Sequence, residues 1–407
     1  MALQSYKTLK RVFYEDTSSA RFENNEALAA QRRLDMSAYN SGIQLRTGEM
    51  FFVVPQKLSL LTEKVLRAEG KIFQLWRGLP PIALRSYIRD LISQEVEFTN
   101  QIEGVRSTRK EIADVLASIE SDKEDRAFKR FREFAGLYLN LSSEELDFPK
   151  GPSDVRNIFD LVMQGEVDKK DQLDGKLFRA GPVEILSGHR SIHEGVTPES
   201  RIVEMLQDMI TMTENEDVPV LYTAIASHFL FEYIHPFYDG NGRTGRLLLA
   251  LYLSRPLSIA TALSLSRTIA ENLPDYYKAF EEVEHGKNHG EITFFIIEMM
   301  QMIRAAQENL EEELKTKRAQ LDRGKERLEG LGLSIEDEVQ ILFSLLQIHL
   351  FATNPIMSLK QAAEVLDKGT AAARRYMGTL SEKDYVKVVA GKPLKFALTD
   401  KAIEALR

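Results

Sequence analysis

The chain runs mostly in the 3.6-residue rhythm of helices. The stretch "IALRSYIRDLISQEVEFTNQIEG" (82–104) predicts one amphipathic helix ending at Gly104, where a left-handed residue past the last turn is easily accommodated. "STRKEIADVLASIE" (107–120) starts another, with Thr108 and Glu111 at capping-box spacing. "PVLYTAIASHFLFEYIH" (219–235) carries an apolar stripe through Leu221, Ala224, Ile225, His228 and Phe231, and "ITFFIIEMMQMIRAAQ" (292–307) carries a further one. The helix before Pro236 must stop at His235, because proline cannot continue a helix interior and disfavours the α region for its predecessor. One stretch breaks the rhythm. In "GPVEILSGHRSIHEG" (181–195), short extended runs flank Ser187-Gly188-His189-Arg190, which predicts a β-hairpin.

Residues 304–329 are highly charged, with Leu314, Leu321 and Leu328 seven apart. Three such positions fall short of a coiled coil and predict a solvated linker helix. After Gly330 the pattern becomes helix, turn, helix, then two strands around a Gly391-Lys392 turn, which is the winged-helix pattern. The expected fold class is mainly α, with one small hairpin and a C-terminal winged helix-turn-helix domain.

Composition narrows the classes. A chain of 407 residues with 43% hydrophobic and 28% charged residues is ordinary for a globular protein with a real core. Cysteine is absent, which excludes disulfides and thiolate metal sites. No apolar run approaches the roughly 18–20 residues that span a bilayer, and "MALQSYKTLKRVFYEDTSS" lacks the apolar core of a secretory signal, so no membrane contact and a cytoplasmic location are expected. The net charge of −8 argues against the whole chain coating nucleic acid. Between Met357 and Phe396, however, the local charge is +4 by count. Thr370 to Lys383 would there form a recognition helix and Gly391-Lys392 a wing tip. DNA contact through this module and a homodimer stay open.

The chemistry is concentrated in "HPFYDGNGRTGR" (235–246). Gly240 and Gly242 permit positive φ and close approach of backbone to a ligand. The next helix is expected to begin near Arg243. Arg243 and Arg246 then sit at a positive helix pole, a mismatch of about 0.3–1 kcal/mol per charge at exposed sites. A bound anion reverses the sign. Free N–H groups, the dipole and two guanidinium forks suit a polyphosphate. Pairing of both arginines with nearby carboxylates is the plainer alternative. Asp239 could hold Mg²⁺ together with phosphate oxygens. His235 could take a proton from an incoming hydroxyl. No P-loop signature occurs.

The same stretch matches the signature of the Fic family, His-x-Phe-x-Asp/Glu-Gly-Asn-Gly-Arg-x-x-Arg, at every specified position, and the chain resembles that family over about residues 85–300. The resemblance implies a Fic-type helical bundle that transfers AMP from ATP to a hydroxyl of a target protein. His235 would be the base and Asp239 the Mg²⁺ ligand. Gly240, Asn241, Gly242, Arg243, Thr244 and Gly245 would cradle the phosphates, and Arg246 would reach the terminal one. Phe237 would anchor the loop in the core. Related Doc kinases carry Lys where Gly242 stands, which disfavours a kinase.

"TNQIEG" (99–104) resembles the family's inhibitory pattern, Ser/Thr-x-x-x-Glu-Gly/Asn. Thr99, Glu103 and Gly104 would then end an N-terminal inhibitory helix whose carboxylate takes a phosphate's place on Arg246. The hairpin resembles the target-docking flap, with Val183, Glu184, Ile185 and Leu186 on its first strand. Tyr276 in "LPDYYKAFEEVEHGK" (273–287) would contact the adenine, although Glu284 stands where family members often show Asn. His228 reads as a packing residue. The implied domains are 1–115, N-terminal helical region with the inhibitory helix; 116–305, Fic core; 306–330, charged linker helix; and 331–407, winged helix-turn-helix. Two rival functions remain: removal of AMP by the same site, and a DNA-binding regulator whose core only senses nucleotide.

Overall fold

The computed structural model describes residues 6–120, 130–141, 147–187, 190–333 and 335–407. Helices α1 (Leu9–Glu15) and α2 (Arg21–Arg33) lead into a β-hairpin of β1 (Ala38–Leu45) and β2 (Gly48–Val53). The N-terminal region was expected as a helical region, and this hairpin is an addition to that expectation. Met50, Phe51, Phe52 and Val53 are all buried. Met50 and Phe52 join the main core, while Phe51 and Val53 pack with Leu9 and Ala29 of the first two helices. Burial on both faces erases the period-two alternation by which a strand is usually read.

The main body follows: α3 (Gln56–Arg77), α4 (Pro81–Ile102), α5 (Arg109–Glu120), α6 (Arg132–Asn140), α7 (Pro152–Val162), the antiparallel strands β3 (Glu184–Ser187) and β4 (Arg190–Glu194), α8 (Glu199–Thr213), α9 (Val220–Ile234), α10 (Asn241–Leu253), α11 (Ile259–Ala262), α12 (Leu265–Glu271) and α13 (Leu273–Glu284). At the centre, α9 is buried from Leu221 to Phe231 on every side. It stops where Pro236 requires. Helix α4 ends as its sequence suggests: Glu103 is the C-cap and Gly104 takes φ 70°. The amide of Val105 then closes the end on Asn100 O at 2.8 Å. Thr108 Oγ1 accepts from Glu111 N at 3.2 Å, the forward half of the expected capping box.

Helix α14 (Thr293–Glu329) is continuous over 37 residues, about 55 Å at 1.5 Å per residue. It crosses the expected boundary at 305/306 without a break. Its C-terminal half is no solvated linker, because Leu314, Leu321 and Leu328 are buried in the main core. A Cβ on Gly324 would lie 2.5 Å from Leu346 and 3.1 Å from the Leu406 carbonyl, so neighbouring elements press closely there. Those neighbours belong to the C-terminal unit: α15 (Glu336–Phe351), β5 (Met357–Ser358), α16 (Leu359–Leu366), α17 (Thr370–Glu382), β6 (Val386–Gly391), β7 (Leu394–Leu398) and α18 (Asp400–Leu406), with an antiparallel sheet in the order β5-β7-β6.

The same unit grips the start of α4. Gln347 Oε1 accepts from Ala83 N at 3.2 Å, Phe351 meets Tyr87 edge-on with centroids 5.8 Å apart, and Thr353 donates to Asp90. Among the described residues no helix is long and apolar enough to cross a membrane.

Candidate active site

His235 sits in a strained turn. Its φ is 50°, a left-handed conformation that a non-glycine residue adopts only when its surroundings impose it. Two side chains impose it. Buried Arg179 donates to the carbonyls of His235 (2.8 Å), Ile234 (3.2 Å), Val196 (2.9 Å) and Gly181 (2.6 Å). Asn241 closes the loop from the other side, accepting from Phe237 N at 3.0 Å and donating to Phe237 O at 2.8 Å. Phe237 is fully buried and stacks on Phe159 with centroids 3.7 Å apart. The His235 ring Nδ1 lies 3.3 Å from the Glu232 carbonyl. Burial, and next the His193 ring with its centroid 6.3 Å away, push the His235 pKa down to about 3. The imidazole is therefore neutral and able to accept a proton at physiological pH.

Helix α10 begins at Asn241, two residues earlier than expected, behind Gly240 at φ 80°. A Cβ on Gly240 would stand 2.5 Å from Met163 Sδ, so the residue meets two demands that only glycine satisfies. Each motif arginine faces a carboxylate. Arg246 donates through Nε to Thr99 Oγ1 (2.7 Å) and through one terminal nitrogen to Thr99 O (3.2 Å) and Glu103 Oε1 (2.7 Å). Burial works against its charge, but Glu103, Tyr276 and Glu232 together outweigh burial and the pKa ends above the usual arginine value. Arg243 is ion-paired with Glu166, which also accepts from Arg130 at 2.9 Å. The plainer alternative for the two cations thus holds in this state. The carboxylates supply the negative charge that the helix pole demands. A Cβ on Gly242 would lie 2.1 Å from Glu103 Oε1, so that glycine makes room for the anion now on Arg246.

Other expected site residues divide. Asn241 and Thr244 are buried and occupied in the fold, Thr244 Oγ1 donating to Gly240 O at 2.9 Å, so side-chain contact with phosphate is not their part here. Gly245 lies against the side chain of Glu232. Asp239 is exposed and its Oδ1 accepts from Gly240 N at 2.7 Å. Among the described residues no three acidic or histidine side chains gather as a metal cluster. A lone exposed carboxylate beside an anion-binding helix end fits Mg²⁺ that takes most of its oxygens from phosphates and water. Tyr276, expected to contact adenine, is 2% exposed and its hydroxyl meets His228 Nε2 at 2.8 Å. His228 Nδ1 approaches Gly245 O at 3.2 Å. Both are packed behind the site. The aromatic that solvent reaches is the next residue, Tyr277, which is 42% exposed. Its pKa is raised by burial and then by the charge of Glu103.

The flap hairpin forms with Glu184 opposite Glu194, Ile185 opposite His193 and Leu186 opposite Ser191. Val183 is half-buried and Glu184 exposed, while the hairpin tip, Gly188-His189, lies outside the described residues. Sequence reasoning missed how the flap is tied down. His193 Nδ1 lies 2.6 Å from Glu284 and Nε2 lies 2.8 Å from Tyr233 O. Arg46, at the end of the N-terminal hairpin, reaches Glu284 at 3.3 Å and Glu194 at 3.2 Å. Glu284 thus ties down the β3–β4 hairpin. Its Glu284→Gln variant should speed backbone amide exchange across 184–194 about tenfold, the effect of losing about 1.4 kcal/mol of charged hydrogen bonding. Unchanged exchange would show that the tie is not stabilising. Arg179, Glu166 and His193 lie in loops or at an element end, where no periodicity or motif singles a residue out, and Tyr277 lies inside α13 beside the tyrosine that was expected instead.

Residues 149–253 match the Fic/DOC family. Over 90 residues the chain is 33% identical to a probable protein adenylyltransferase of Aquifex aeolicus (strain VF5), a match covering 22% of this chain and 26% of that protein. Over 243 residues it is 24% identical to the protein adenylyltransferase Fic of Nematostella vectensis, covering 58% of this chain and 52% of that protein. The chain thus spans about half the length, or less, of these curated relatives. A solved structure of a Fic family protein from Desulfovibrio desulfuricans G20 aligns with a TM-score of 0.52 at 20% identity, over 86% of this chain and 98% of that one, a likeness of fold.

Proposed function

We propose that this chain, which carries a Fic domain, is a protein adenylyltransferase held off by its own Glu103. The observation that carries the reading is Arg246 at the start of α10, paired with Glu103 and Thr99 beside the neutral base His235. ATP would lay its phosphates along the first turn of α10, where backbone N–H groups without helical partners meet Arg243 and Arg246. His235 would take the proton of a target hydroxyl. Its oxygen would then form a bond to the α-phosphorus as the bond to the β-phosphate oxygen breaks, releasing pyrophosphate. Mg²⁺ held by Asp239 would neutralise charge on the phosphate oxygens. Glu103 blocks this arrangement by holding the guanidinium that the terminal phosphate needs.

The target segment would pair as an added strand along the flap, its backbone positioned and its hydroxyl free. A protein target and ATP are then the partners. Intact-mass analysis of the Glu103→Gly form after incubation with ATP and Mg²⁺ tests the reading. Release of AMP from a pre-modified acceptor, without labelling, would point instead to removal.

The C-terminal unit has the element order of a winged helix-turn-helix, but half of the eight cations between Met357 and Phe396 already lie near carboxylates. Lys368 is bonded to Asp337, Lys383 to Glu338, Lys387 lies near Asp400 and Lys360 near Glu364. Its packing against α4 favours a structural role. Filter binding of duplex DNA over a series of salt concentrations should show no retention. Retention that falls steeply with salt would restore the DNA-regulator reading.

A further inference from the structure

Besides Glu103, Glu166 and Asp239, the site contains a fourth carboxyl without an obvious task. Glu232 lies one turn before His235 on α9, and its backbone carbonyl already faces the His235 ring. Its side chain lies against α10, with Oε1 2.2 Å from where a Cβ on Gly245 would stand. That oxygen is buried and, among the described residues, has no hydrogen-bond partner. A buried, unpaired carboxyl oxygen is costly enough to need a reason. Gly242 and Gly245 thus make room for two carboxyls on the helix of Arg246, Glu103 at the first and Glu232 at the second. Of these two carboxyls, Glu103 is the one hydrogen-bonded to the guanidinium.

We propose that Glu232 is a positioning residue for Arg246: it turns its free oxygen onto the guanidinium whenever the opposing anion, Glu103 or a terminal phosphate, is away. Arg246 would then keep one geometry through the exchange of anions, and the vacant site would not hold an unopposed buried cation. The charged and titratable groups around Glu232 are Arg246 on α10, Glu103 at the end of α4, and Tyr276 and Tyr277 on α13. Burial first, and then the Glu103 charge, push the Glu232 pKa up to about 8 against the pull of Arg246. With Glu103 in place the carboxyl is mostly neutral at pH 7. Removing Glu103 removes one of the two influences that keep it so.

The proposal rests on Arg246 as the anion-binding arginine, and a thermal cycle tests it without nucleotide. Glu232→Gln in the parent should shift the melting temperature by less than about 1 °C, since Gln resembles the neutral acid. The same change in the Glu103→Gly chain should lower it by about 2 °C or more. Equal shifts in both backgrounds would overturn the proposal. A second measurement follows binding of a non-hydrolysable ATP analogue near pH 8 in buffers of different ionisation heat. Glu103→Gly should take up about half a proton more than Glu103→Gly with Glu232→Gln, as Glu232, with a pKa of about 8 beside an opposing anion, is partly reprotonated when phosphate replaces it. Equal uptake would also overturn it. If Glu103→Gly binds no nucleotide at all, the adenylyltransferase reading fails, and the thermal cycle still decides the role of Glu232.

Discussion

Glu103→Gly is expected to switch on self-modification: with ATP and Mg²⁺, the variant gains the mass of an adenylyl group while the parent stays largely unmodified. The contact removed is a charge-assisted hydrogen bond of 2.7 Å between Arg246, 3% exposed, and Glu103, 28% exposed. Such a bond contributes about 1.5–3 kcal/mol, so phosphate entry should gain roughly 10- to 100-fold. Little else stands to be lost. Glu103 is the C-cap of α4, and the end of that helix is already held by Gly104 at φ 70° and by the Val105–Asn100 backbone bond. Equal labelling of parent and variant would remove autoinhibition from the account.

His235→Ala, placed in the Glu103→Gly chain, should lower transfer by about 10²- to 10⁴-fold, the usual worth of a positioned general base. Nucleotide binding should survive, because the phosphate-facing groups belong to α10. The pH profile makes the assignment specific. A general base works when unprotonated, and burial holds the His235 pKa at about 3. The rate of the Glu103→Gly chain should therefore stay nearly flat from pH 8 to pH 5, where an ordinary histidine near 6.5 would lose more than nine-tenths of its activity. A decline centred near 6.5 would mean a solvated histidine, and an undiminished rate in His235→Ala would mean another base.

The embedding of α4 limits how Glu103 can leave Arg246. Its first turns are held by Gln347 and Phe351, and its middle by Glu95, which accepts from Ser266 N at 3.0 Å and Ser266 Oγ at 2.5 Å. Moving the whole helix would break all of these contacts. Loosening only its last turn would break the Thr99 and Glu103 bonds to Arg246 and leave the core intact. Release of Glu103 from Arg246 is thus expected to be a local event at the end of a fixed helix.

The sequence by itself determined what short-range chemistry controls. Pro236 ends α9, Gly104 ends α4, Gly240 admits the left-handed turn before α10, and His235, Asp239 and both arginines gather within twelve residues. Those outcomes depend on backbone sterics and on neighbours a few positions away. Tertiary structure alone decided which carboxylate meets which arginine: Glu103 lies 143 residues from Arg246, and Glu166 lies 77 from Arg243. It also buried Tyr276 behind His228, gave Glu284 to the flap, covered both faces of β2 and enclosed Leu321 and Leu328 beneath the C-terminal unit. Each of these is a contact between segments distant in the chain, and periodicity along one segment carries no information about the partner that will cover it.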